Sequence, residues 1–199
     1  MHVAVEGLDG SGKSTLIAGL VDRLAGHREV VEFRLPDPAA FAGGDLVRVL
    51  AHDLPAPSAE VLALGFAANR LASYEGHIAP WLAEHCDRVA FSHRYVLSGL
   101  AYQSADGVAL PWLLALNERV PAPELTIFLD TEPAVCEERV GRRGTVELFE
   151  NRFRRMRAAY LSAIDLLTRR AWRIEVLDGS SRPADLVEAA AAHISTANN

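Results

Sequence analysis

Residues 7–15 read Gly7-Leu8-Asp9-Gly10-Ser11-Gly12-Lys13-Ser14-Thr15 and match the pattern G-x-x-x-x-G-K-[ST]. A short apolar run, His2–Val5, precedes them and reads as a strand. The stretch that follows, Lys13–Ala25, has the spacing of an amphipathic helix. Glycines in such a loop let the backbone curl with its N–H groups pointing inward. Those groups and the N-terminus of the following helix form a cradle for anions. In that arrangement the lysine ammonium meets the β- and γ-phosphates of a nucleotide, and the next hydroxyl faces Mg²⁺. The candidate nucleotide-binding residues are therefore Gly7, Asp9, Gly10, Ser11, Gly12, Lys13, Ser14 and Thr15, with Ser14 the candidate metal ligand.

Composition supports this focus. Lys+Arg total 20, and Lys13 is the single lysine, which leaves 20 less one, or 19, arginines. A chain that uses arginine almost everywhere keeps lysine where a compact ammonium is needed. The 199 residues, 50% hydrophobic and 23% charged, suffice for one compact domain and not for two ordinary ones. The net charge of −6 is too modest for disorder and speaks against duplex nucleic acid as a partner. Cys86 and Cys136 fit no disulfide or metal spacing, so a reduced, cytoplasmic setting is expected. The run Val3-Ala4-Val5 is broken by Glu6, so no signal peptide is expected, and no apolar stretch is long enough to span a bilayer.

Beyond the loop, short apolar runs alternate with longer amphipathic ones. Strands are expected at His2–Val5, Val30–Leu35, Arg88–Ser92, Leu125–Asp130 and Trp172–Leu177. Helices are expected at Lys13–Ala25, Gly44–Ala51, Ala59–His85 with a bend, Ser98–Ser104, Leu110–Asn117, Pro133–Val140, Phe149–Arg169 and Pro183–His193. Such alternation implies an α/β fold whose parallel sheet is covered on both faces. Ligands then bind beyond the carboxyl ends of the strands.

A GTPase needs an N-K-x-D motif, which a chain with one lysine already in the loop cannot supply. A large motor ATPase is excluded by size, and small kinases remain. Further motifs follow in order: F-R-L-P (Phe33–Pro36), F-A-A-N-R (Phe66–Arg70), H-R-Y-V-L-S-G-L-A-Y-Q (His93–Gln103), E-L-T-I-F-L-D (Glu124–Asp130), E-R-V-G-R-R-G (Glu138–Gly144), E-L-F-E-N (Glu147–Asn151) and V-L-D-G-S (Val176–Ser180). Across nearly the whole chain this order and spacing resemble thymidylate kinases, which phosphorylate dTMP to dTDP with ATP.

The resemblance implies a P-loop NTPase fold in a single domain, 1–199, with a five-stranded parallel sheet flanked by helices on both faces and a short lid at about 141–150. It implies ATP and Mg²⁺, small-molecule nucleotide substrates and a homodimer, with no membrane partner. Asp9 would reach the deoxyribose 3′-hydroxyl. Phe66 would stack on thymine, Arg70 would bond its O4, and Leu35–Pro36 would form a rigid cis turn under the base. Arg94 would clamp the acceptor phosphate with a planar fork. Tyr102 would fill the space of a ribose 2′-hydroxyl. Gln103 would touch the base edge, with Gly99 and His93 in the same segment. Arg139 would stack on adenine, edged by Asp178, Gly179 and Ser180. Arg142 and Arg143, in the lid, would spread positive charge over the transferring phosphoryl group. Of the run Arg152, Arg154, Arg155 and Arg157, the pair Arg154 and Arg157 share a helix face, and most of the run reads as solvated.

The chain departs from the family pattern at three places. The family carries aspartate directly before the arginine of its D-R-Y motif, where it helps hold the Mg²⁺ hydration shell and the arginine; here that residue is His93. Some members have an arginine two residues after the strand-two proline, and here that residue is Pro38. The segment between Glu147 and Tyr160 is shortened. His93 reads either as a base near its ordinary pKa or as a hydrogen-bonded residue at a strand end. Two other functions stay open on this evidence: a kinase for a modified pyrimidine nucleotide, and a nucleotide-binding protein with little catalysis. An aspartate restored at position 93 is expected to keep or raise activity. Lys13→Ala is expected to abolish nearly all turnover while thermal denaturation stays that of a folded protein. Unchanged turnover in the folded variant would remove the assignment of the loop.

Overall fold

In the computed structural model, which describes residues 1–141 and 150–196, five strands form one all-parallel sheet. They are β1 (His2–Gly7), β2 (Val30–Arg34), β3 (Val89–His93), β4 (Leu125–Asp130) and β5 (Ile174–Asp178). Their spatial order is β2-β3-β1-β4-β5. Nine α-helices connect and cover them among the described residues: α1 (Lys13–Leu24), α2 (Gly43–Leu50), α3 (Ala59–Ser73), α4 (Ala79–Glu84), α5 (Val96–Ala105), α6 (Leu110–Leu116), α7 (Pro133–Gly141), α8 (Glu150–Thr168) and α9 (Pro183–Thr196).

The strand period of two divides the core. Val3 and Val5 face a layer built by α1 and α9, where Leu16, Ile17, Leu20, Ala190 and Ile194 are buried. Ala4 and Phe128 face the opposite layer, where Leu97 and Leu100 of α5 meet Met156, Tyr160 and Ala163 of α8. β1 and β4 are buried almost throughout, as central parallel strands must be. The α/β architecture expected from the sequence is therefore present, with helices on both faces.

Element ends differ by one to three residues from the expectation, the last helix running on from His193 to Thr196. β2 stops at Arg34, two residues before Pro36, which has no N–H to give to a ladder; the Leu35–Pro36 bond is cis, as the resemblance implied. β3 begins at Val89, one residue late, because Arg88 is drawn sideways by Glu29, Glu84 and the Trp81 carbonyl. β5 runs from Ile174 rather than Trp172, whose N–H returns to the Leu167 carbonyl at the end of α8. The bend expected in Ala59–His85 is a π-helical turn, Tyr74–Ile78, in which the Ala79 N–H donates to Tyr74 O. Pro80, lacking an N–H, opens α4 directly after it. Asp37 fastens this turn: Ser73 Oγ donates to its Oδ2 at 2.8 Å, and His77 Nδ1 lies 2.6 Å from the same oxygen.

α5 starts at Val96, two residues earlier than the sequence suggests, and a buried carboxylate accounts for it. Glu6 leaves β1 toward α5 and is fully buried. Its Oε1 accepts from the Tyr95 N–H at 2.7 Å and from the Ser98 N–H at 3.1 Å, and its Oε2 accepts from Ser98 Oγ. An acid on a neighbouring strand thus satisfies the unpaired donors of a helix that has no cap of its own. Glu6→Ala is expected to destabilise the protein by about 2–3 kcal/mol. Urea unfolding checks this, and an unchanged midpoint would show that α5 does not depend on Glu6.

Candidate active site

The loop from Gly7 to Gly12 leaves the carboxyl end of β1 at the centre of the sheet, where the strand order reverses. Gly10 shows why the loop needs glycine. Its φ is 81°, and a Cβ there would fall 2.7 Å from the Cys136 carbonyl of α7. α1 opens at Lys13 with Gly12 as its N-cap and no side-chain cap, so its first N–H groups face the cavity. Ser11 Oγ is buried without a partner among the described residues. Lys13 Nζ donates back to Gly7 O at 3.0 Å and Leu8 O at 2.6 Å. Burial, and then neighbouring Arg94, pull the Lys13 ammonium down to about 7, against the opposing pull of Asp9 and Glu6. A buried cation in that condition is short of negative charge, which a bound phosphate supplies.

Two sizeable cavities meet beside the loop among the described residues. One, of about 550 Å³, is lined by Gly10–Thr15, Arg34, His93, Arg139, Gly179 and Ser181. The other, of about 400 Å³, is lined by Pro36, Phe66, Arg70, Gly99, Tyr102 and Gln103. Asp9, Leu35 and Arg94 belong to both and form the wall where they meet.

Arg94 is the best-fixed side chain of that wall. Its own backbone is left-handed, with φ 68°. Its Nη1 donates to Tyr160 OH at 2.9 Å, Ser98 Oγ at 3.1 Å and Gly7 O at 3.3 Å, while Nη2 donates to Asp9 Oδ1. The Tyr102 ring lies beneath it, 4.9 Å away, and Tyr102 OH donates to Asp9 Oδ2 at 3.1 Å. Burial works against the Arg94 charge, but Tyr102, Tyr160 and Asp9 outweigh it and raise its pKa well above the ordinary value. Burial also opposes the Asp9 charge, and there Arg94 and Lys13 prevail and hold the carboxyl below the usual carboxylate range.

In the second cavity Arg70 is buried beside Gly99, where a Cβ would stand 2.5 Å from Nη2. Arg70 Nη1 donates to Asn117 Oδ1. Asn117 Nδ2 is spent on the Leu113 carbonyl at 2.8 Å, which fixes the amide with its oxygen toward Arg70. Burial lowers the Arg70 pKa to about 10. Phe66 lies one helical turn before Arg70 on α3, and the two line the same cavity.

The candidates on the first cavity divide. Arg139 Nη1 donates to Gly10 O at 3.0 Å, so it stands against the loop. Ser180 N and Oγ both donate to Asp178 Oδ1, at 2.9 and 2.7 Å, and it is Gly179 and Ser181 that line the cavity. Arg142 and Arg143 lie outside the described residues. Arg154 and Arg155 are exposed, as expected of a solvated run. Arg157 differs: it forks onto Asp130 at 2.7 and 2.8 Å and anchors α8 to the end of β4. His93 Nε2 lies 2.7 Å from Glu32 Oε2 on β2. Burial lowers its pKa below the ordinary value; Glu32 opposes that, and Arg34 and Lys13 add to it.

Sequence reasoning passed over Glu6, Ser98, Tyr160, Asn117 and Glu32. Glu6 carried a signal, an acid inside an apolar strand beside the loop. Asn117 and Tyr160 carried none, because their partners are 47 and 66 residues away.

A family model described as thymidylate kinase matches residues 5–187. A probable thymidylate kinase of Pyrobaculum aerophilum is 36% identical over 187 residues, covering 92% of this chain and 91% of the relative. That of Pyrobaculum calidifontis is 40% identical over 167 residues, covering 81% of each. A thymidylate kinase of Schizosaccharomyces pombe is 31% identical over 140 residues, covering 69% of this chain and 64% of the relative.

The Asn117 amide is the neutral partner of a buried cation. Asn117→Ala is expected to leave Arg70 Nη1 unpaired and to cost about 1–3 kcal/mol of stability in chemical denaturation. A variant as stable as the natural protein would show that Arg70 does not need this partner.

Proposed function

We propose a division of labour among these residues from one premise: the chain belongs to the thymidylate kinase family. It is a nucleoside monophosphate kinase that phosphorylates dTMP to dTDP. The observation that carries the assignment of sites is the pair of cavities meeting at Asp9, Leu35 and Arg94. A phosphoryl transfer needs donor and acceptor phosphates in line at one wall, and this wall carries a fixed guanidinium.

The donor is ATP with Mg²⁺, held on the phosphate loop. The residues fit both. The partnerless Ser11 hydroxyl, the uncapped α1 N-terminus and the charge-starved Lys13 suit polyphosphate, and Ser14 lines the same cavity. Mg²⁺ bound beside Ser14 would neutralise charge on the β- and γ-phosphate oxygens. Thr15 and the N–H groups at Gly10–Ser14 hold the polyphosphate, Lys13 counters the charge that spreads onto it, and Arg139, Asp178, Gly179 and Ser180 edge the adenine.

The acceptor lies in the second cavity. Phe66 stacks on thymine over the Leu35–Pro36 turn. Arg70 donates to O4, Gln103 and Gly99 border the base, and Tyr102 closes the space of a 2′-hydroxyl. Asp9 holds the 3′-hydroxyl, and Arg94 holds the phosphate. An oxygen of that phosphate attacks the γ-phosphorus; the bond to the β–γ bridging oxygen breaks, and ADP leaves. The nucleophile is already ionised at pH 7, so no general base is required. Arg142 and Arg143 from the lid stabilise the transferring group.

No helix among the described residues is long and apolar enough to cross a membrane. We place the enzyme in the cytoplasm, as a homodimer. Phe41, Leu50, Val61 and Leu64, exposed on and beside α2 and α3, support a partner surface.

dTMP is expected to be preferred over dCMP, because Arg70 donates hydrogen bonds and an N4 amino group cannot accept them. The mismatch costs on the order of 1–3 kcal/mol. A panel of deoxy- and ribonucleoside monophosphates, scored by ADP release, tests this. Equal or better kcat/KM for dCMP would overturn the role given to Arg70. ATP binding without phosphoryl transfer to any member would overturn the enzyme reading.

A further inference from the structure

The residue that departs most from the family pattern, His93, has a partner that the pattern does not announce. His93 ends β3, and Arg34 of β2 is its register partner. Glu32 lies two residues earlier on β2, on the same face as Arg34. Its Oε2 stands 2.7 Å from His93 Nε2, and His93 lines the phosphate-loop cavity with Lys13, Arg34 and Arg94.

A carboxylate only accepts, so the hydrogen in this contact belongs to Nε2. In a neutral imidazole with Nε2–H, Nδ1 carries a lone pair. Among the described residues no protein group donates to His93 Nδ1. We propose that Glu32 is a positioning residue of the phosphoryl-transfer site, fixing His93 as the Nε2–H tautomer so that Nδ1 is a neutral acceptor at the wall of the phosphate-loop cavity. The carboxylate that the family sets directly before the arginine is here displaced to β2 and acts through a ring. The inference rests on the kinase reading above.

The charged groups around His93 agree with this role. Glu32 and Arg34 face it from β2, Lys13 from the start of α1, and Asp9 of the loop, Arg139 of α7 and neighbouring Arg94 line the same cavity. Burial, Arg34 and Lys13 together outweigh Glu32 and hold the His93 pKa below its ordinary value, which favours the neutral, accepting ring. Glu32 also reverses the outcome expected from sequence for His93→Asp. A second carboxylate beside Glu32 would meet like charge, and one of the two would be driven to take up a proton.

Nitrogen-15 NMR of the histidine side chains in the nucleotide-free protein reads the tautomer without any assay. His93 is expected to show Nε2–H at pH 7. Glu32→Ala is expected to lose that preference and to lower the His93 pKa, because the one group that raises it has gone. In dTMP kinase assays the same variant should lose about tenfold in kcat with little change in the KM for dTMP. Its acid limb, where activity falls as His93 protonates, should move to lower pH, which a merely structural role would not do. His93→Asp should be slow, and His93→Asp with Glu32→Gln should recover activity. An Nδ1–H tautomer in the natural protein, an unmoved acid limb in Glu32→Ala, or a single His93→Asp variant as active as the double would each overturn the proposal. Absence of dTMP phosphorylation by the natural protein would overturn the parent reading instead. The tautomer, measured without nucleotide, tells the two failures apart.

Discussion

The buried carboxylate of Glu6 joins the parts of this enzyme that must not move relative to one another. It projects from the strand that carries the phosphate loop and binds the first turn of α5 through two N–H groups and a hydroxyl. Ser98, so held, receives Arg94 Nη1, which also reaches Gly7 O and Tyr160 OH. One buried acid therefore fixes the distance between the donor loop and the guanidinium given to the acceptor phosphate. In phosphoryl transfer, where positioning supplies most of the rate, that distance is the quantity to be protected. A cap supplied by a neighbouring strand suits this better than one within α5, since a local cap would stabilise the helix without tying it to β1.

The second constraint is charge. Lys13, Arg34, Arg70, Arg94, Arg139 and Arg152 line two adjoining cavities, and Asp9 and Asp106 on their walls, with Glu6 and Glu32 nearby, balance only part of them. Burial depresses Lys13, which is the physical mark of a cation awaiting a counter-ion, and it also lowers Arg70, whose partner is the neutral Asn117 amide. Three of these carboxylates also have a second duty. Asp9 keeps Arg94 and Tyr102 aligned, Glu6 caps α5, and Glu32 holds His93. The remaining deficit matches substrates made of phosphate.

Much of this was legible in the chain. The loop at 7–15, the alternation of strands and helices and the motif segments placed the sheet and many of the residues that line the two cavities. Those features are local: a turn needs its glycines and a helix its spacing within a few residues. What escaped is pairwise and distant. Arg70 reads, through the resemblance, as a base-binding arginine, but nothing local announces the Asn117 amide that holds it. Arg157 reads as part of a solvated basic run until β4 ends beneath it at Asp130. Glu32 reads as the polar half of an alternating strand, and only the register of β2 on β3 makes it the partner of His93.

The lone lysine can now be given a physical reason. Its ammonium is folded back between two carbonyls of its own loop, at 3.0 and 2.6 Å, with Arg94 donating to one of them, Gly7 O. A planar guanidinium has fixed donor directions and greater width, and it would have to displace Arg94 from Gly7 O to occupy the same place. An ammonium is compact, with three donors it can turn toward any acceptor, so it can leave the carbonyls for a phosphate oxygen without moving the loop. Elsewhere in the site the opposite property is wanted. Arg94 divides its donors among four fixed acceptors, and Arg157 spans both oxygens of Asp130. A chain with 20 basic residues, only one of them lysine, has kept lysine at the one described position where a charge must change partners and arginine where charge must hold an orientation.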